Sequence, residues 1–181
     1  MPTVVKTFLN PEKLLFQAGV AKGQTVADMG SGSGHFALAA ARIVGPNGQV
    51  FAVDVFEPSL NHIQAAAAVL RINNLKTFQC DLETAGCKSI KEGSVDVVIL
   101  ANVLSQIKER QTIFREIYRV LRTSGKLLVV EWSDKASSFG PEPESRISMA
   151  VVTKLLPVSG FQLEQELPAD FYHYCLLFRR T

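Results

Sequence analysis

Gly30, Gly32 and Gly34 stand at alternate positions, preceded by Val26-Ala27-Asp28-Met29 and followed by a segment opening at His35-Phe36. A glycine has no Cβ, so the backbone can bend through left-handed conformations there and come close to a ligand. A helix leaving such a bend turns its unpaired N–H groups toward whatever occupies it. Together these give a nucleotide-binding turn. A dinucleotide fingerprint of the G-x-G-x-x-G kind would need a third glycine at position 35, and His35 is there instead. The pattern is G-x-G-x-G, with an acid, Asp28, two residues ahead of it.

Such a turn works only between a strand and a helix. Thr25 to Met29 reads as that strand, and Gly34 to Val44 as the helix, with Phe36, Ala40, Ile43 and Val44 on one face and Gly45-Pro46-Asn47-Gly48 as its stop,. Ahead of it, Asn10 caps a helix begun by Pro11,. Further strands are predicted at Gln49 to Asp54, Lys76 to Cys80, Val95 to Ala101 and Lys126 to Trp132, the last entered through Thr123-Ser124-Gly125,. Helices are predicted from Pro58, carrying Leu60, Ile63, Ala67 and Leu70 and ending at Asn73-Asn74, and over Glu109 to Leu121,.

Strand and helix thus alternate, which specifies right-handed crossovers and an open, doubly wound parallel sheet in an α/β, Rossmann-like three-layer sandwich. The C-terminal part differs. A helix over Ser145 to Leu156 is stopped by Pro157 and Gly160, and strands over Phe161 to Leu167 and Phe171 to Arg179 lie too close together for a crossover, so they form an antiparallel hairpin,.

The chain has 181 residues, 47% hydrophobic and 20% charged, with a net charge of +2, which suits one domain with a full core,. No basic run exceeds Arg179-Arg180, so no nucleic-acid stripe is expected,. The most apolar stretch, Val95 to Leu104, is too short to span a bilayer,. Cys80, Cys87 and Cys175 are sparse, lack metal-ligand spacing and suggest neither a disulfide framework nor a zinc site,. They read as buried small hydrophobes in a cytoplasmic protein.

The segment Asp28-Met29-Gly30-Ser31-Gly32-Ser33-Gly34 resembles motif I of the class I S-adenosylmethionine-dependent methyltransferases. The resemblance covers residues 24–133 closely and 10–180 in layout. It implies a seven-stranded sheet of order 3-2-1-4-5-7-6 with the seventh strand reversed, and S-adenosylmethionine as cofactor. One domain over 1–181 is expected, with a helical lead-in over 1–20, a cofactor-binding core over 24–133 and a terminal helix and hairpin over 145–181. By the resemblance, Asp54 reaches the ribose hydroxyls with Val55 beside it. Asp81 meets the adenine amino group next to the Leu82 backbone, and Asp28 lies under the methionine end. Gly30, Ser31, Gly32, Gly34 and Asn102 complete the cofactor set.

Methyl transfer from a sulfonium needs alignment and exclusion of water more than it needs a strong acid or a metal. Acceptor-side residues are expected from Asn102-Val103-Leu104-Ser105-Gln106 and from Glu131-Trp132-Ser133, with Asn102, Ser105 and Glu131 as catalytic candidates. The first loop lacks both the Asn/Asp-Pro-Pro-aromatic tetrad of amine-methylating relatives and a histidine near 105 or 106. Glu131 reads as a surface or ion-paired glutamate, His173 as a satisfied structural histidine, and Trp132 as a pocket wall or core residue. Residues 1–20 and 133–148 are the material available to cover the site. Val103 to Gly125 and Gly160 to Phe178 are similar to quinone-ring C-methylating and arsenite-methylating enzymes. A small-molecule acceptor is the first expectation. A protein acceptor, a catalytically weak binding subunit and a nucleotide-dependent oxidoreductase stay open as alternatives.

Overall fold

The computed structural model describes residues 9–84, 86–134 and 139–181. The chain runs α1 (Pro11–Gln17), β1 (Thr25–Met29), α2 (His35–Val44), β2 (Gln49–Asp54), α3 (Glu57–Val69), β3 (Leu75–Gln79), β4 (Val95–Ala101), α4 (Arg110–Val120), β5 (Leu121–Trp132), α5 (Met149–Leu155), β6 (Phe161–Leu167) and β7 (His173–Arg180). The sheet order is β3-β2-β1-β4-β5-β7-β6. β1 to β5 pair in parallel, and β7 runs antiparallel to both β5 and β6.

Asn10 caps α1 by accepting the Lys13 amide at 3.0 Å, with Pro11 in the first turn, as its residue types direct,. One core layer packs α1 and α2, with Ile63 of α3, against Val26, Val97, Leu128 and Val130. The other packs α4 with Val152 and Leu156 against Val98, Leu100, Leu127 and Val129. β4 is therefore buried on both faces, which explains its continuous apolar run,.

Four expectations change. The chain between β3 and β4 forms turns with no helix among the described residues; Leu82, Cys87 and Ile90 fill the core there. Cys80 and Cys87 are joined in a disulfide, their Cα atoms 5.4 Å apart, where the sparse cysteines suggested none. The helix α3 stops at Val69, leaving Leu70 exposed and Arg71 left-handed at φ +55°, short of Asn73-Asn74. The Asn74 side chain instead donates to the carbonyls of Ala41 and Gly45, fastening the end of α2. Helix α5 also starts later than its pattern suggested, after a single 3-10 turn at Pro143–Ser145.

Candidate cofactor and acceptor site

At the carboxyl ends of the parallel strands, the glycine turn folds back on β2: the amides of Gly30 and Ser31 both donate to the Val53 carbonyl, at 2.8 and 2.9 Å. All three glycines have positive φ, but for different reasons. A Cβ on Gly30 would lie 2.4 Å from a Val103 methyl, and one on Gly34 2.5 Å from Ile63, so these two admit close packing. A Cβ on Gly32 would meet nothing within 4 Å and would project into open space.

That space is a cleft of about 510 Å³, lined by Gly30, Gly32, Asp54, Val55, Asp81, Leu82 and Asn102 of the expected set. Cys80, Val103, Gln106 and Ile107 also face it. It lies where the strand order reverses between β1 and β4, the usual ligand crevice of an open α/β sheet,. One Asp54 oxygen accepts the Gly32 amide at 2.8 Å and the other the Phe56 amide at 2.9 Å, so the carboxylate locks the turn to the end of β2. Two carboxylate oxygens offer about four lone-pair sites, so acceptor capacity remains for ligand hydroxyls. Asp81 accepts the Glu83 amide at 2.9 Å and stands exposed across the same cleft.

Asp28, Ser31 and Gly34 are not on the cleft wall. Asp28 is 2% exposed beneath the turn; burial pushes its carboxyl up to about 7, against the pull of the Ala37 amide, and the neighbouring Asp54 charge raises it further. It joins β1 to α2 from below. The Ser31 hydroxyl and the Asn102 side-chain oxygen are buried without hydrogen-bond partners. Asn102 is left-handed at φ +58°, a conformation asparagine tolerates better than most residues, and its backbone turns the chain out of β4 at the cleft,.

Glu131 is neither on the surface nor ion-paired: it is 0% exposed and accepts the Leu104 amide at 2.6 Å. Burial raises its carboxyl to about 7, opposed by the amides of Leu104, Val103 and Ser105 and by the Ser105 hydroxyl. Its role is to hold the loop after β4 from underneath, and Ser105 is turned toward it rather than lining the cleft. Cys87 and Cys175 lie in opposite core layers, so the three sulfurs do not converge; burial raises the Cys175 thiol to about 12. No metal-holding cluster of His, Cys, Asp and Glu occurs among the described residues, and no described helix is long and apolar enough to cross a membrane.

Sequence reasoning missed a second group, at the other end of the same edge. His173 stacks on Trp132 with ring centroids 4.1 Å apart, and Asp170 accepts its Nδ1–H. The histidine is only half satisfied, because its Nε2 has no partner. The signal in the sequence was Asp170 three residues before His173, but only the hairpin geometry brings the pair opposite Trp132.

A model of the methyltransferase domain matches residues 21–173. An arsenite methyltransferase from Halobacterium salinarum is 34% identical over 84% of this chain and 41% of its own length. A ubiquinone/menaquinone biosynthesis C-methyltransferase from Citrobacter koseri is 29% identical over 87% of this chain and 59% of its own. The chain thus spans roughly two to three fifths of the length of these curated relatives. Among solved structures, a SAM-dependent methyltransferase from Aquifex aeolicus superposes with a TM-score of 0.89 at 23% identity, covering 100% of this chain and 94% of that one, which establishes a shared fold. With the family model spanning most of its length and the strand order of that fold, the chain belongs to the methyltransferase-domain family, in the class I S-adenosylmethionine-dependent group.

Proposed function

We propose that the chain is an S-adenosylmethionine-dependent methyltransferase acting on a small-molecule acceptor. The observation that carries this reading is the Gly32–Asp54 pair: a glycine facing open space, its amide fixed by a carboxylate that keeps acceptor capacity on the same cleft. The cleft volume of about 510 Å³ suits a nucleoside-sized ligand,. Asp54 takes the ribose hydroxyls, Asp81 and the Leu82 backbone the adenine edge, with exposed Val55 against the ring. The orphaned Asn102 oxygen is available to the amino acid end, and Asp28 supports the turn from below.

The cofactor supplies an activated methyl group on sulfur, so the protein's part is to align, desolvate and accept a proton. Glu131 contributes alignment by fixing residues 103–105. A cytoplasmic setting, expected from the sparse cysteines, stands against the Cys80–Cys87 disulfide; alkylation of cell extracts that finds both cysteines reduced would support that setting, and persistent oxidation would overturn it,.

S-adenosylhomocysteine at a fixed excess is expected to raise the melting temperature, and NAD at the same excess to leave it unchanged, because only a ligand preferring the folded state stabilises it. The reverse outcome would favour an oxidoreductase. Asp54→Ala should weaken S-adenosylhomocysteine binding by about 10- to 100-fold, the range for a hydrogen bond to a charged group.

A further inference from the structure

One wall of the Gly32–Asp54 cleft is tied covalently to a point anchored on α4. Cys80 follows β3, donates its amide to the Asp54 carbonyl at 3.0 Å and lines the cleft together with Asp81, Leu82 and Glu83. Its disulfide partner Cys87 is 0% exposed and lies outside the cleft. Cys87 is held at both ends: its amide donates to Glu116 at 2.8 Å, and its carbonyl accepts from Arg119 at 3.1 Å. Arg119 also donates to Glu116 at 2.7 Å, so the anchor closes on itself within one turn of α4.

Without the disulfide the wall hangs on weaker links. Leu82 packs into the core, Asp81 accepts the Glu83 amide at 2.9 Å, and Glu83 accepts the amides of Lys108 and Glu109 at 2.8 and 3.2 Å. These three hydrogen bonds are exposed, and exposed bonds exchange with water at little cost,. Cys80 is itself only partly buried, so a thiolate arriving from solvent meets its sulfur and not that of Cys87. Cys175 is buried, free and in the opposite core layer, and takes no part.

We propose that Cys80 and Cys87 form a thiol–disulfide exchange site for a dithiol reductant, and that the disulfide state holds the cleft wall in the form that binds the cofactor tightly. The inference rests on the methyl-transfer reading for the identity of the cofactor. A thiolate of the reductant attacks Cys80 Sγ, and the sulfur–sulfur bond breaks with its electron pair on Cys87 Sγ, which takes a proton. The reductant's second thiolate then displaces Cys80 from the mixed disulfide. Cys80 leaves as a thiol and the reductant as its own disulfide, so two electrons and two protons pass to the protein. Asp81 and Leu82, next in the chain to the released sulfur, lose their preorganisation, and binding then costs the entropy of ordering them. Disulfides of cytosolic proteins are typically transient and redox-sensing, which reconciles this bond with an otherwise cysteine-poor chain,.

The test is equilibrium dialysis of S-adenosylhomocysteine against protein poised with mixtures of reduced and oxidised dithiothreitol, the thiol state being read by iodoacetamide alkylation and mass. The disulfide form should bind at least about fivefold more tightly than the dithiol form. By reciprocity, saturating S-adenosylhomocysteine should shift the dithiothreitol ratio that half-reduces the pair by the same factor, toward more reductant. Cys87→Ala should bind as the reduced parent does and ignore dithiothreitol. Should the loss of that buried sulfur prevent folding, Cys80→Ser, at the partly exposed position, should give the same result. Equal affinities in the two states, a half-reduction point indifferent to S-adenosylhomocysteine, a pair that never changes state across the mixtures, or variants that bind like the oxidised parent would each overturn the assignment. Absence of S-adenosylhomocysteine binding in both states would instead strike the underlying methyl-transfer reading.

Discussion

The two halves of the sheet's carboxyl edge are made of different materials. On the β1–β2–β3 side the cleft is shaped by backbone: a glycine turn, amides paired with Asp54, and a disulfide from Cys80 to Cys87 beside Asp81. On the β4–β5–β7 side lie the buried polar side chains Asn102, Glu131, Ser133, Asp170 and His173, each with an atom that lacks a partner; Asn102 lines the cleft, and on the glycine-turn side the Ser31 hydroxyl alone among the described residues is in the same position. A backbone-built site holds a ligand common to a whole family, because its amides do not depend on side-chain identity. A site of orphaned side-chain atoms is specific to one partner, since only a complementary ligand relieves the desolvation.

The glycine turn provides the sharpest way to break this contrast. Gly30→Ala adds left-handed strain and presses a methyl against Val103, for a combined loss of about 3 kcal/mol in a denaturant titration,. Gly32→Ala carries the strain alone and should cost about 1–2 kcal/mol less, yet it places its methyl in the ligand space and should abolish the S-adenosylhomocysteine thermal shift,. Equal stability losses in the two variants would show that both glycines serve the fold and neither the ligand.

The disulfide comes next in size. It closes a short loop, its cysteines seven positions apart in sequence, beside the adenine end of the cleft. Reduction, or Cys80→Ser, should cost about 2 kcal/mol, read as a fall in melting temperature of roughly 4–8 °C. No change with reductant would mean that the turn after β3 is held by the anchoring of Cys87 alone. That anchoring is substantial: the Cys87 amide donates to Glu116 at 2.8 Å, and Arg119 donates to both the Cys87 carbonyl and Glu116. Burial pushes the Glu116 carboxyl up, but Arg119 and the Cys87 amide together hold it below its ordinary value.

The pH dependence of stability tests the side-chain half. The folded protein keeps a proton on Glu131 to about pH 7, whereas the unfolded chain releases it near the ordinary 4.5. The unfolded state therefore binds fewer protons across that interval, and stability falls as pH rises through it, by at most about 1.4 kcal/mol per pH unit from this group. Asp28 adds a slope of the same sign, up to about 7. Glu131→Gln should flatten only its own share and leave S-adenosylhomocysteine binding intact. Parallel stability profiles for parent and variant would show that Glu131 is charged in the folded state.

Strand positions were legible in the sequence where one periodicity ruled. β1, β2 and β4 fall where their apolar runs place them, because a strand covered on both faces tolerates few polar residues and its glycine or proline boundaries are sharp,. The segment after β3 was not legible: Leu82, Cys87 and Ile90 are too irregularly spaced to announce the turns that fill the place of a helix. β5 begins at Leu121, ahead of the Thr123-Ser124-Gly125 turn, because Leu121 pairs with Val95 before a register shift carries the ladder on to Lys126 and Val97.

The sequence by itself determined the strand-to-helix alternation and the glycine turn, since each is written in residues that are neighbours along the chain, and the cofactor class followed from the resemblance of that turn to a known motif. The tertiary structure decided which polar groups are buried and what they face. Glu131 and His173 read as ordinary surface and core residues until β5, β7 and the loop after β4 enclose them. Burial and pairing across β5 and β7 depend on contacts between residues about 40 positions apart, such as Trp132 and His173, and no local pattern encodes such a distance,.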